Sequence, residues 1–407
     1  MKHHLLYLYR WIMWNIGSRL FIRFYLGPLY HFTKSKDAKP LPKPPFIIAS
    51  NHGTFFDPWI IGYYSRYPFA IMCNDEAFSR GPVSRWYLNS IGAFPKKKGT
   101  SDFRAMKKTV SLLSQGYPVC IFPEGQTSWD GETQLIYKGI EKIARHSKAS
   151  LVLTRVTGNF LTKPWWADVI RKGRITVTCD VVTPERMKSL SDDELFGIMK
   201  SYIAHSDIKD PANMPKNFSG TDLALGLERF VWMCASCGTE DALTTTSDQI
   251  HCAWCGSAWT IDAMCRLTPG NPGGQHVGDL HDWAQWHRSR VLAKIKSAGP
   301  GAALTASAGV LLQTGKENFS FADAGVGTMS LTPQTLTFAF DNSHTPTVSF
   351  PVKDIETVVI QKRDIVEFGY KGMLYRFVFS RHSPMKWIYY LRYLKGYEKF
   401  EEQGYIG

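Results

Sequence analysis

Two groups of residues in this chain have types and spacing that suit chemistry. The first is His52 and Asp57, in the stretch "NHGTFFDPW" that follows the apolar run "PFIIAS". On an uninterrupted helix, residues five apart point about 140° away from each other and would not meet. They meet if His52 stays on the turn leaving a strand while Asp57 begins the next element. Gly53 supplies freedom for that turn, and Pro58 is expected to hold Asp57 extended. A carboxylate on one imidazole nitrogen fixes the tautomer and raises the basicity of the other, which makes a general base for an alcohol. The other reading is a histidine bonded to a local carboxylate as plain turn structure. The same five-residue spacing recurs at His205 and Asp210, in the polar stretch "HSDIKDPANMPKN". No apolar strand precedes it, so it is read as a chance twin.

The second group is Cys234, Cys237, Cys252 and Cys255, two C-x2-C pairs that take four of the chain's 8 cysteines. Each pair can place two thiolates on one knuckle, with Gly238 and Gly256 giving the tight turns, so a tetrahedral structural Zn site is expected. Four sulfur ligands leave no open position, which excludes a catalytic role for that metal. Two disulfides are the alternative, disfavoured by the apparent lack of a secretory signal. Cys73, Cys120, Cys179 and Cys265 read as buried or free thiols.

The elements that must position these residues alternate in type. "PFIIAS", "PVCIFPEG", "ASLVLTRVTG" and "RITVTCDVV" read as buried strands. "SDFRAMKKTVSLLSQG", with Ser101 as cap, and "QLIYKGIEKIARHSK" read as helices. The expected fold class is α/β, a mixed sheet flanked by helices, with active residues outside the strand ends. A small zinc ribbon and a C-terminal β-rich module closed by a helix follow. Five segments are expected: an interfacial helical segment at 1–32, an α/β domain at 33–215, the ribbon at 216–268, a linker with one helix at 269–304, and the β module at 305–407. "SAGPGAALTASAG" reads as a flexible joint, and "TLTFAF", "TVSFPV", "IETVVI" and "LYRFVFS" as half-buried strands.

With 407 residues, 44% of them hydrophobic, the chain exceeds what one core needs, and its net charge of +13 suits an anionic partner, with a merely solvated basic surface as the alternative. Residues 1–50 hold eight Lys or Arg (Lys2, Arg10, Arg19, Arg23, Lys34, Lys36, Lys39 and Lys43) against the single acid Asp37, interleaved with Tyr, Trp, Phe and Leu. That mixture fits a phospholipid surface better than nucleic acid, which is not expected as a partner. Arg10, Arg19 and Arg23 interrupt the apolar run before it reaches the roughly 20 residues a spanning helix needs. The segment therefore reads as a helix in the headgroup layer with its cations outward, at the cytoplasmic face of a membrane, peripheral or monotopic. A helix packed on the protein's own core is the alternative.

Four blocks, "NHGTFFD", "IGAFPKKKG", "FPEGQTS" and "LVLTRVTG", in that order, resemble those of the glycerolipid acyltransferases typified by 1-acylglycerol-3-phosphate acyltransferase, over about residues 45 to 180. The resemblance implies that His52 deprotonates an acceptor hydroxyl, that Asp57 orients His52, and that no catalytic cofactor is needed. The donor would be acyl-CoA or acyl carrier protein, the acceptor a lysophospholipid, most simply 1-acylglycerol 3-phosphate. Glu124, Gly125 and Gln126 match the block that positions the acceptor. Lys96, Lys97 and Lys98 stand where the family closes its second block with arginine, and Gln126 and Thr127 stand where it has Thr and Arg. Lysine binds phosphate as a point charge without arginine's fork, so the phosphate acceptor is less fixed than the chemistry. The C-terminal β segment resembles the pleckstrin-homology-like and GRAM-like barrels, which implies docking to lipid or protein; a β module that only packs against the enzyme is the alternative. The competing function is a non-catalytic membrane adaptor that docks partners through the ribbon and the β module.

Overall fold

The computed structural model describes residues 2–96, 103–270, 277–315, 321–342, 344–381 and 383–396. They fall into two compact units, one of Met1–Trp165 with Ile170–Gly220, the other of Trp166–Val169 with Thr221–Gln403.

The first unit is built on strands β1 (Tyr30–Lys34), β2 (Phe46–Ser50), β3 (Ala70–Asn74), β4 (Phe94–Lys96), β5 (Val119–Ile121), β6 (Ser150–Thr157), β7 (Lys172–Val182) and β8 (Phe218–Ser219). Their order is β1-β7-β6-β2-β5-β3-β4, with β8 against β7. Strands β6, β2, β5, β3 and β4 all run the same way, whereas β7 is antiparallel to β6. The continuous apolar run of β2 follows from burial on both faces. Ile47 and Ala49 face a core covered by the helices Phe103–Ser114, Ile140–His146 and Asp192–Ile203. Phe46 and Ile48 face a second core, covered by the N-terminal helical run and the helix Asp57–Tyr64. Because the five strands are parallel, Lys96 at the end of β4 and His52, Glu124 and Asn159 just beyond β2, β5 and β6 all lie at one edge of the sheet, where ligands gather in open α/β sheets.

The N-terminal run is α-helical over Lys2–Ile12 and Arg19–Phe21 and π-helical over Met13–Ser18 and Ile22–Leu26. Its buried residues, Trp14, Ser18, Ile22 and Leu26, recur every four positions. An α-helix would rotate that stripe progressively off the core, and the wider π turns bring it back. The indole of Trp14 donates to the carbonyls of Phe69 and Ile91, and its ring fills the space beside Gly62. Arg19 donates to the Ser65 carbonyl at 2.9 Å and Arg10 lies over the Tyr117 ring, so these two cations turn toward the protein rather than outward. Leu5, Leu6, Leu8, Trp11, Leu20 and Phe24 remain exposed. Tyr30 and Phe32, read as part of the helical segment, belong to β1 instead and pair in parallel with β7. No helix among the described residues is long and apolar enough to cross a membrane.

In the second unit, β9 (Leu243–Thr246), β10 (Gln249–Cys252), β11 (Ala258–Ile261) and β12 (Leu267–Pro269) form an antiparallel meander. The helix Leu280–Ser297 follows. Strands β13 (Thr305–Gly315), β14 (Phe321–Leu331), β15 (Thr335–Phe340), β16 (Val348–Pro351), β17 (Glu356–Gln361), β18 (Ile365–Tyr370) and β19 (Met373–Val378) form a seven-stranded antiparallel sheet. The helix Pro384–Leu394 closes it against β17 and β18. Residues 305–309, read as part of a flexible joint, open β13. Their small side chains hide a strand that is paired on both sides, by β14 and β19. The fully buried Lys386 of the closing helix pairs with Asp241, beside the first knuckle. Neighbouring Glu240 accepts from Tyr390 and Thr305, each at 2.6 Å.

Candidate active site

His52 leaves β2 on a turn and its Nδ1 meets Asp57 Oδ2 at 2.9 Å. Asp57 does not stand extended before the helix, as the following proline suggests. It is the helix's first residue, because its backbone N–H donates to the Thr54 carbonyl and its carboxylate accepts from Thr54 N at 3.0 Å. Proline at the next position fits a first helical turn, whose N–H would lack a partner anyway. Asp57 is fully buried, while the His52 side chain keeps 19% of its surface. An ionised carboxylate only accepts, so the geometry requires the proton on Nδ1 and leaves Nε2 with its lone pair. Nε2 lies 3.3 Å from Thr127 Oγ1, and the ring stacks on Phe122 with centroids 4.2 Å apart.

Glu124 follows β5. It is almost completely buried, and its two oxygens accept the backbone N–H groups of His52 and Gln134, each at 2.6 Å. Burial pushes its carboxyl well above the usual range, partly offset by these two donors. Glu124 thus braces two loops of the site and turns both its oxygens inward. Gly125, at φ +66°, is exposed and Gln126 half-buried beside it. Lys96 ends β4 at the same sheet edge as His52. Lys97, Lys98 and the cap Ser101 lie outside the described residues.

Asn159 had no place in the reading from residue types, yet its Nδ2 donates to Asp57 Oδ1 at 2.8 Å. Asp57 therefore accepts from three groups: His52, Thr54 and Asn159. Gly53 is needed here less for conformational freedom than for space, since a β-carbon on it would lie 2.7 Å from the Asn159 amide. The twin at His205 is also no accident of spacing. The imidazole is 7% exposed, with Nε2 2.8 Å from Asp207 Oδ1 and Nδ1 3.5 Å from Asp210 Oδ2. Burial opposes its charging, but the two carboxylates outweigh that and hold its pKa above the ordinary value. A shallow concavity is lined by both histidines together with Glu124, Thr133, Asn159 and Asp207.

In the second unit, the sulfurs of Cys234, Cys237, Cys252 and Cys255 all lie within 4.8 Å of one another. Cys234 and Cys255 are 3.7 Å apart, and Cys237 and Cys252 3.9 Å apart. A tetrahedron with Zn–S bonds of about 2.3 Å has an edge of about 3.8 Å, so the four thiols fit such an ion. Cys120, Cys179 and Cys265 are buried free thiols and Cys73 is partly buried.

Residues 32–155, which carry the histidine–aspartate pair and the glutamate brace, match the protein-family model described as Acyltransferase. Among curated proteins, the chain is similar to a 1-acyl-sn-glycerol-3-phosphate acyltransferase of Chlamydomonas reinhardtii, 23% identical over 184 residues, which is 44% of this chain and 54% of that protein. It is similar to the chloroplastic enzyme LPAT1 of Arabidopsis thaliana, 25% identical over 34% of this chain and 39% of that protein. It is also similar to the enzyme of the same name from Borreliella burgdorferi, 29% identical over 29% of this chain and 48% of that protein. The chain thus spans about half the length, or less, of these relatives. Among solved structures, the 1-acyl-sn-glycerophosphate acyltransferase PlsC of Thermotoga maritima aligns with a TM-score of 0.38 and 18% identity, covering 50% of this chain and 93% of that one. By the family match and the curated relatives, the segment is acyltransferase-like.

Proposed function

We propose that this protein transfers a fatty acyl group from acyl-CoA or acyl carrier protein to the hydroxyl of a lysophospholipid, with 1-acylglycerol 3-phosphate as acceptor and phosphatidic acid as product. The observation that carries this reading is the His52–Asp57 pair, in which Asp57 takes Nδ1 and Nε2 faces the Thr127 hydroxyl at the sheet edge. In the proposed reaction Nε2 takes the acceptor's hydroxyl proton as the oxygen attacks the thioester carbonyl. Asp57 stabilises the imidazolium that forms. The tetrahedral intermediate collapses with loss of the thiolate, which receives the proton back from His52. The Thr127 hydroxyl, 3.3 Å from Nε2, marks where an alcohol oxygen can approach. Glu124 and Gly125 shape the loop beside it, with Gln126. Lys96, Lys97 and Lys98 supply positive charge for the acceptor's phosphate. The exposed aliphatic and aromatic residues of the N-terminal run would rest in the headgroup layer of a membrane's cytoplasmic face, where the acceptor resides. Cys234, Cys237, Cys252 and Cys255 would hold a structural zinc that supplies no chemistry. The C-terminal sheet with its closing helix would serve as a pleckstrin-homology-like docking module.

The test is thiol release from acyl-CoA with lysophosphatidic acid, lysophosphatidylcholine and a non-phosphate alcohol as acceptors, and the same panel with acyl carrier protein as donor. Activity with the first and its loss in His52→Ala are expected. No transfer to any acceptor, or full activity in His52→Ala, overturns the reading.

A further inference from the structure

Behind the His52–Asp57 pair lies a second buried histidine–carboxylate pair for which the proposed reaction has no use. Asp207 is 1% exposed and its side chain accepts at both oxygens: Oδ1 from Gly158 N at 2.6 Å and Oδ2 from Phe160 N at 2.8 Å. These two N–H groups flank Asn159, so one carboxylate clamps the turn that carries the Asn159 side chain. Gly158, in the left-handed region at φ +83°, makes that turn and packs against the Arg174 carbonyl. Asn159 passes the constraint forward through its bond to Asp57. Its orientation is fixed by chemistry, because a carboxylate cannot donate and so the amide must present Nδ2. His205 holds Asp207 from the other side at 2.8 Å, and Asn213 donates to the Asp207 carbonyl, also at 2.8 Å. The stretch is tied to the loop after Glu124 by Asp207 N to the Gly131 carbonyl and Thr133 N to the His205 carbonyl, each at 2.9 Å.

A buried carboxylate without this many partners would be costly, and a purely structural clamp could have been apolar. What the arrangement adds is direction: a line of bonds from His205 through Asp207, the 158–160 turn and Asn159 to the oxygen of Asp57 that His52 does not use. We infer that Asn159 and Asp207 are positioning residues that hold Asp57 so that His52 keeps its proton on Nδ1 and its lone pair on Nε2. His205 is the outer support of the same line. This rests on the acyl-transfer reading only for its kinetic consequence, since the tautomer can be observed without turnover.

The experiment uses the full chain with 15N-labelled histidine. Ring nitrogen shifts, assigned through loss of the His52 signals in His52→Ala, report which nitrogen carries the proton. Wild type is expected to show the Nδ1–H form. Asn159→Ala and Asp207→Asn are expected to shift His52 to a mixture of tautomers. In acyl transfer they should lower kcat about 10- to 100-fold while the acceptor KM changes less than about twofold, as expected when a reacting group is displaced and substrate binding is not. His205→Gln, which keeps a donor toward Asp207, should retain more activity than His205→Ala. Asn159→Ala deletes only the amide and leaves the clamped turn, so it decides the matter if Asp207→Asn fails to fold. An unchanged His52 tautomer in Asn159→Ala, or a wild type already mixed, overturns the inference. A wild type with Nδ1–H fixed and no acyl transfer overturns the proposed function and leaves the positioning line standing.

Discussion

Gly53 and Asn159 share one small space: a β-carbon on the first would lie 2.7 Å from the side-chain amide of the second. Gly53 is outside the left-handed region, so its backbone alone would accept alanine. The obstacle is the amide that reaches Asp57. Gly53→Ala is expected to keep the fold and to lower kcat about 10- to 100-fold by pushing Asn159 off the carboxylate. Matched melting temperatures with reduced turnover would agree, and unaltered turnover would contradict it.

Glu124 makes a different demand. Both of its oxygens receive backbone N–H groups, and glutamine would turn an NH2 toward one of them. Glu124→Gln should therefore cost about 1–3 kcal/mol of stability, measured by urea unfolding. The direction of the Glu124 shift adds a pH test. A carboxyl whose folded pKa is raised holds its proton in the folded state after the unfolded chain has released it. Its contribution is therefore full below about pH 4.3 and falls as pH rises through the folded value. The variant should lose that slope.

Burial, and to a lesser degree Arg155, oppose charging of His205, but Asp207 and Asp210 hold it above its ordinary pKa. The stabilisation from its charged form is complete below about pH 6.5 and is lost as pH rises through the raised folded value. Melting temperature followed from pH 6 upward should fall more steeply in wild type than in His205→Gln. Parallel curves would show that the imidazole does not titrate against its carboxylates.

The sulfur spacing in the second unit predicts about one zinc per chain by elemental analysis, with Cys237→Ser abolishing it. Because Glu240 and Asp241 follow the first knuckle and pair with Tyr390 and Lys386 of the closing helix, chelation should disturb more than the knuckles. Hydrogen exchange along Pro384–Leu394 is expected to rise when the metal is removed. Protection unchanged by chelation would separate the two.

The exposed Leu5, Leu8 and Trp11 predict binding to anionic vesicles that weakens when all three are changed to glutamate. Trp14, Ile22 and Leu26 face the core, so the triple variant should keep its melting temperature. Equal vesicle binding by variant and wild type would remove the headgroup-layer reading.

Local signals were legible in the chain. His52 and Asp57 lie five residues apart behind an apolar strand, and each cysteine pair closes within one knuckle. Strands β2 and β5 announced themselves by unbroken apolar runs, β6 and β7 by stretches rich in Val, Ile, Leu and Thr. Asn159 and Asp207 were not legible, because each acts on a residue about 50 or more positions away and neither carries a local pattern. His205 was read as a chance twin because its burial and its bond to Asp207 cannot be read from "HSDIKD". Strands β13 and β14 were hidden by Ala and Gly, which leave no apolar alternation, and β1 by aromatic residues continuous with the helix before it.

The line of bonds also sets an order of assembly during synthesis. His52 and Asp57 leave the ribosome together, Glu124 follows, and the clamp on the 158–160 turn waits for Asp207 and its support Asn213. A nascent chain halted before that point carries base and carboxylate without the brace that aims them. The clamp on that turn therefore closes only once Asp207 and Asn213 have been made.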